Sequence, residues 1–144
     1  MMISKAASYG LQSLAYLALE GNEREYVPIS EISRELEIPY HFLKKVIADL
    51  VVGGLLISHR SAKGGIALAR DASKISLLDI IARIDGTEVF EQCILGLPGC
   101  GKEHPCALHA GWAVERKRLY KLFADSTLES VSQQISDLHL RIRP

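Results

Sequence analysis

Cys93, Cys100 and Cys106 are the only cysteines in the 144-residue chain, and all three fall in one Gly-rich stretch that is followed at once by His109. Thiolates are soft donors that suit iron–sulfur clusters or zinc, and imidazole suits the same metals. Three thiols and one imidazole make a complete four-ligand set. Cys106 and His109 stand three residues apart, a spacing that brings two side chains to one face of a helix. Gly96, Gly99 and Gly101 let the preceding loop wrap closely around a bound group, and Pro98 and Pro105 stiffen it. Site and loop would form together, so a bound group there is coupled to the fold around it. His104 is a second imidazole nearby and reads as a solvated loop residue. Structural or redox-active thiols are the alternative reading of the same cysteines.

The rest of the composition narrows what such a site serves. Hydrophobic residues make up 48% of the chain and charged residues 24%, enough for one compact core with an appendage. No run approaches the roughly 20 apolar residues of a membrane span. Ser8, Gln12 and Ser13 interrupt the apolar N-terminal stretch, so it does not read as a signal peptide, and a cytoplasmic protein is expected. Seventeen basic and seventeen acidic side chains cancel to a net charge of zero, which disfavours indiscriminate coating of nucleic acid. The charges are nevertheless segregated. Between Ile38 and Arg70 they are Lys44, Lys45, Asp49, Arg60, Lys63 and Arg70, whereas Glu20 to Glu37 is acidic.

The basic segment has its own architecture. Helical periodicity predicts a helix over 4–20, ended by Gly21 and Asn22. A second helix starts at Ser30, a candidate N-cap, and Ile38-Pro39 breaks the chain. A third runs from about Tyr40 to Val52, with Phe42, Leu43, Val46, Ile47 and Leu50 inward, and stops at Gly53-Gly54. Two short helices about a tight break, the second exposing Lys44 and Lys45, form a helix-turn-helix pattern. Leu55–Ile57 and Ile66–Leu68 then read as the strands of a β-hairpin wing with Arg60 and Lys63 at its tip, where a cation can reach a DNA backbone or minor groove. Ser30, Tyr40 and Ser61 are hydroxyl donors placed for phosphate contacts, and His41 and His59 flank the same surface.

Downstream, Ser76 with Asp79 is an approximate capping box for a helix that ends at Asp85-Gly86. A long helix is expected over Cys106 to Phe123, carrying Trp112, Leu119, Leu122 and Phe123, and a last one over Val131, Ile135 and Leu138 capped by Ser126 or Thr127. A helix with such large apolar side chains outside a small core suggests a homodimer, with Trp112 at the helix interface, and two-fold symmetry suits a palindromic double-stranded DNA operator. The fold class expected is mainly α: a winged helix-turn-helix with a small β-hairpin wing and a long C-terminal dimerisation helix. The divisions are a DNA-binding domain over 1–86, a cysteine-rich loop over 87–105, and the dimerisation and C-terminal helices over 106–144.

With YGLQSLAYLAL, ISEISRELEIPYHFLKKVIADL, GGLLISHRSAKGGIALARDASKISLLDII and the LYKLFADSTLESV region in place, the chain resembles the IscR-type winged-helix transcription regulators over nearly its whole length. The resemblance implies a homodimer that crosses its long C-terminal helices. Cys93, Cys100 and Cys106 match the family's cluster cysteines and His109 the histidine that ligates a two-iron cluster. Six residues separate Cys93 from Cys100, one more than the nearest family pattern. Ser8 and Gln12 stand where a nitric-oxide-sensing branch draws a carboxylate from the partner subunit, and neither is a good ligand, which favours His109 and a [2Fe–2S] cluster over [4Fe–4S] or zinc. Phe42 and Leu43 match the aromatic–leucine core pair of the recognition helix, Lys44 and Lys45 its base- and phosphate-facing positions, and Arg60 the minor-groove arginine of the wing. The iron–sulfur regulator of the family has acidic and amide residues where Lys44 and Lys45 stand, so a different operator is expected.

The function expected is a DNA-binding repressor switched by an iron–sulfur cluster. The alternatives are a cluster-free repressor using zinc or thiol redox chemistry and a small electron-transfer protein. No phosphate cradle or paired-carboxylate cleft points to an enzyme.

Overall fold

A computed structural model of the chain describes residues 2–21, 24–99, 101 and 103–144. Cys100 and Asn22, both singled out from the sequence, lie outside the described residues. Helix α1 (Lys5–Glu20) is the spine of the core, with Ala7 and Leu14 fully buried. Ser4 caps it by accepting from the Ala7 amide at 3.0 Å. Gly10 lies where α1 meets a later helix, and a Cβ there would stand 2.7 Å from Ile84 Cδ1.

Helix α2 (Ile29–Glu35) begins one residue ahead of Ser30, so Pro28 and not Ser30 is its N-cap and no side chain caps it. The turn to α3 (Tyr40–Val52) is stapled by Ser33, whose hydroxyl donates to the Ile38 carbonyl at 2.6 Å. Leu43, Val46, Ile47 and Leu50 fill the inward stripe of α3. Phe42 does not join them. It is 41% exposed, with its ring edge-on to Tyr9 at 5.5 Å. At about 100° per residue, Leu43, Val46, Ile47 and Leu50 span one arc of the helix and Phe42 falls roughly 40° outside it, at the edge of the stripe.

The wing is an antiparallel hairpin of β1 (Leu56–His59) and β2 (Gly65–Leu68), with Leu56 opposite Leu68 and His59 opposite Gly65. Val27 pairs with Ile66 on the open edge of β2 through two backbone hydrogen bonds of 2.9 and 2.8 Å. The tight turn accounts for Gly64, and this pairing for Gly65. A Cβ on Gly64 would stand 2.0 Å from the His59 carbonyl oxygen, and one on Gly65 2.2 Å from that of Val27.

Helix α4 (Leu77–Asp85) carries the capping box read from Ser76 and Asp79. Its Arg83 guanidinium bonds the Asp49 carboxylate at 2.6 Å and the Asp49 carbonyl at 3.0 Å, tying α4 to α3. Helix α5 starts at His109 and runs to Asp125, with no fully buried residue. Helix α6 (Leu128–Leu138) is capped by Thr127 and packs back on α1, with Leu128 fully buried and its amide bonded to the Ile75 carbonyl at 2.9 Å. The architecture is the mainly α winged helix-turn-helix expected. Among the described residues no helix is long and apolar enough to cross a membrane.

Candidate DNA-binding face and cysteine site

Every basic or hydroxyl side chain expected to meet DNA is exposed: Ser30 on α2, Tyr40, Lys44 and Lys45 on α3, and Arg60, Ser61 and Lys63 in the β1–β2 loop. Burial of Leu43, Val46 and Ile47 turns the opposite side of α3 outward. Tyr40 has a second role on this face. Its ring lies 5.7 Å from Lys44 Nζ, a cation–π distance that restricts the lysine's rotamers, and the His41 ring meets it edge-on. At the loop end of β1, His59 stacks on Tyr26 with centroids 5.1 Å apart. The two elements are joined through buried Leu55, whose amide donates to the Leu50 carbonyl at 3.0 Å where α3 passes into the wing.

The cysteine loop leaves α4 at Gly86, whose left-handed φ of 79° lets the chain turn. It is anchored by Phe90, which is buried against Tyr120 and Phe123 of α5 at centroid distances of 5.6 and 6.0 Å. The loop returns through Cys106 to α5. Cys93 and Cys106, thirteen residues apart in sequence, meet with their sulfurs 3.6 Å apart. Two thiolates each about 2.3 Å from one tetrahedral metal stand about 3.8 Å apart, so the two cysteines fit a shared metal atom. His109 is the first residue of α5, and its amide donates to the Cys106 carbonyl at 3.0 Å. Cys106 therefore sits in the turn before the helix and not in its first turn. Among the described residues, no three His, Cys, Asp or Glu side chains form a metal-holding group by themselves. His104 is exposed. Ser8 and Gln12 are bonded to each other along α1 at 3.2 Å.

Sequence reasoning missed two side chains at this site. The Trp112 indole N–H donates to the Gln92 carbonyl at 2.8 Å, and Arg116 reaches the same carbonyl at 3.1 Å as well as that of Glu91. A tryptophan on an amphipathic helix reads as packing, and only the bonded carbonyl reveals its second use.

The model of the Rrf2 family, described as an iron-dependent transcriptional regulator, matches residues 3–134. An Aquifex aeolicus chain assigned as an HTH-type transcriptional regulator is 32% identical over 142 residues, covering 97% of this chain and 96% of that one. The HTH-type transcriptional regulator IscR of Klebsiella pneumoniae is 29% identical, over 96% of this chain and 85% of its own. Among solved structures, CymR, the global cysteine regulator of B. subtilis, superposes with a TM-score of 0.75 at 25% identity, covering 91% of this chain and 95% of that one. Staphylococcus aureus CymR in its oxidized form gives 0.72 at 27%, over 92% and 97%. The family consists of helix-turn-helix transcriptional regulators, which are not enzymes. An exposed basic recognition helix and wing, on a fold matched along nearly its whole length, make the chain a DNA-binding transcriptional regulator of the Rrf2 family.

Proposed function

We propose that the chain is a repressor that binds a palindromic operator as a homodimer in the cytoplasm and is switched by an iron–sulfur cluster. The observation that carries the cluster is the 3.6 Å approach of the Cys93 and Cys106 sulfurs from opposite ends of the loop. Cys93, Cys100, Cys106 and His109 are the ligand set, which favours [2Fe–2S]. A bound cluster supplies a centre sensitive to redox state and oxidants. Ser30, Tyr40, Lys44, Lys45, Arg60, Ser61 and Lys63 make the DNA contacts, with residues 1–86 as the reader, 87–105 as the sensing loop and 106–144 as the dimerising part.

The chain's own contacts provide a route between the two sites. Phe90 joins the loop to α5, α4 precedes the loop directly, and Arg83 of α4 holds Asp49 of the recognition helix. Rearrangement of the loop thereby biases α3. Such coupling requires that the loaded and stripped proteins differ in operator affinity.

A second reading is favoured by the same sulfur approach: two thiols in contact are poised for a disulfide, and a related regulator has been solved in an oxidized form. Anaerobic purification with visible absorbance, iron and sulfide counts and operator binding separates the two. Coloured protein with two irons and two sulfides per chain, losing its colour in Cys93→Ala, is expected. Colour retained in His109→Ala would move the fourth ligand elsewhere. A colourless product holding zinc or nothing, with DNA affinity governed by thiol oxidation, would overturn the cluster. Single Ala substitutions at Lys44, Lys45, Arg60 and Lys63 each remove one contact per protomer and are expected to lower the salt slope of dimer binding by about two.

A further inference from the structure

His109, Trp112 and Arg116 are spaced by three and four residues along α5, so they share one face of that helix. Trp112 and Arg116 grip the chain directly ahead of Cys93. The indole N–H holds the Gln92 carbonyl at 2.8 Å. The guanidinium holds the same carbonyl at 3.1 Å and the Glu91 carbonyl as well. The other sulfur arm is anchored at the start of the same helix, where the His109 amide bonds the Cys106 carbonyl at 3.0 Å. One helix thus fixes both ends of a loop whose two sulfurs stand 3.6 Å apart.

We propose that Trp112 and Arg116 are positioning residues of the cysteine site: by holding the Gln92 and Glu91 carbonyls they keep Cys93 opposite Cys106 before anything bridges the two sulfurs. The proposal deepens the cysteine-site reading above but does not depend on which group bridges the sulfurs. Cys93 is followed by exposed Ile94, Leu95 and Leu97, which give the loop little packing of its own, so this grip and Phe90 tie it to α5. Trp112 supplies a rigid donor with few rotamers to lose, and Arg116 a cationic nitrogen, Nη1, that donates to two successive carbonyls. The same contacts make the orientation of α5 a determinant of the distance between the sulfurs. A change at either end is felt at the other.

The test uses the full chain with Cys100→Ser, so that only one cysteine pair remains. Chelator-stripped, reduced protein is treated with diamide, and formation of the Cys93–Cys106 disulfide is timed by mass spectrometry. Trp112→Phe keeps the ring and removes the N–H. Arg116→Gln shortens the reach, and Arg116→Lys retains a cationic donor. The Trp112→Phe/Arg116→Gln pair is expected to slow pairing about tenfold, each single change severalfold, with Arg116→Lys near the parent and melting temperatures little altered. Pairing in the double variant within about twofold of the parent, in protein folded by circular dichroism, overturns the proposal. Stripped protein carries this readout, so failure of the wild type to load iron would sink the cluster reading and leave the clamp result intact.

Discussion

The Tyr16 hydroxyl donates to Glu31 Oε1 at 2.9 Å from within the core, while Arg24 grips both oxygens of the same carboxylate at 2.7 Å from the solvent side. The pair fixes α2 to α1. Arg24, and after it Tyr16, hold the Glu31 carboxyl down to about 2 from an ordinary value of 4.5, against the opposing effect of burial. A carboxylate depressed in the folded state adds stability above its unfolded pKa and loses it as pH falls toward the folded one. Glu31→Gln is therefore expected to cost about 1–2 kcal/mol near neutral pH, a range already reduced for partial exposure. The gap to wild type should close between about pH 5 and pH 2 in urea titrations. A gap that stays constant across that window would refute the assignment.

Glu37 sits in the turn between α2 and α3 with φ of 53°, a left-handed conformation that costs a non-glycine residue with a long side chain. The turn is held by Ser33, whose carbonyl accepts from the Ile38 amide at 3.0 Å and whose hydroxyl bonds the Ile38 carbonyl. Glu37→Gly is expected to raise unfolding free energy by about 0.5–1 kcal/mol, the relief of strain exceeding the greater freedom of the unfolded chain. Thermal denaturation of the two proteins side by side is sufficient. A lower melting temperature for the glycine variant would show that the backbone there is not strained.

What the sequence makes legible depends on how far apart the interacting residues stand. Helix α3 has the bounds its periodicity predicts, and the Ser76–Asp79 box is formed, because both depend on neighbours within a few residues. The Val27–Ile66 bridge was not legible, since one paired residue carries no alternation. The return of α6 onto α1, with Leu128 tied to Ile75 ahead of α4, was equally hidden: an amphipathic helix announces a face but not its partner. At the cysteine site, residue types pointed to soft-ligand chemistry, and the meeting of Cys93 with Cys106 agrees with it. The start of α5 was misplaced because Pro105 and the turn over 106–108 delay the helix to His109. The loop-gripping role of Trp112 depends on a carbonyl twenty residues away, which no local pattern encodes.

The wing glycines carry the next prediction. Gly65 is packed against the Val27 backbone, and a Cβ would stand 2.2 Å from its carbonyl oxygen, a clash with backbone that no side-chain rotation relieves. Gly65→Ala should cost about 1–3 kcal/mol by overpacking. It should also weaken DNA binding while Lys44 and Lys45 keep their place, because the hairpin that carries Arg60 and Lys63 is pushed off the Val27 edge. Fluorescence anisotropy with an in vitro selected operator checks this. Gly65→Ala combined with Arg60→Ala should bind little worse than Gly65→Ala alone, the signature of a shared cause. Fully additive losses would separate the wing's position from the contact made by Arg60.

Helix α5 makes the sharpest test of assembly. It has no fully buried residue in one protomer, and Val114 and Leu122 are 49% and 57% exposed. Phe90 packs on Tyr120 and Phe123 along one side of it, and the cysteine loop occupies its beginning through Trp112 and Arg116. A proposed partner protomer has to cover the apolar side chains that remain. Leu122→Glu would then place an unpaired carboxylate inside an interface, which should raise the dimer dissociation constant by at least about a hundredfold. In an isolated protomer the same change sits on the surface and should alter stability by no more than about 0.5 kcal/mol. Sedimentation equilibrium gives the first quantity. For the second, denaturation is measured at a concentration where both proteins are monomeric. Wild type at twice the protomer mass and Leu122→Glu at the protomer mass, with equal monomer stability, is the expected result. If both proteins sediment as dimers, the interface does not include Leu122, and the crossing of long helices expected from the family resemblance fails for this chain. If Leu122→Glu unfolds outright, α5 is held by its own protomer more than its exposure indicates. Val114→Glu then provides the independent test, since Val114 lies two turns nearer the cysteine site.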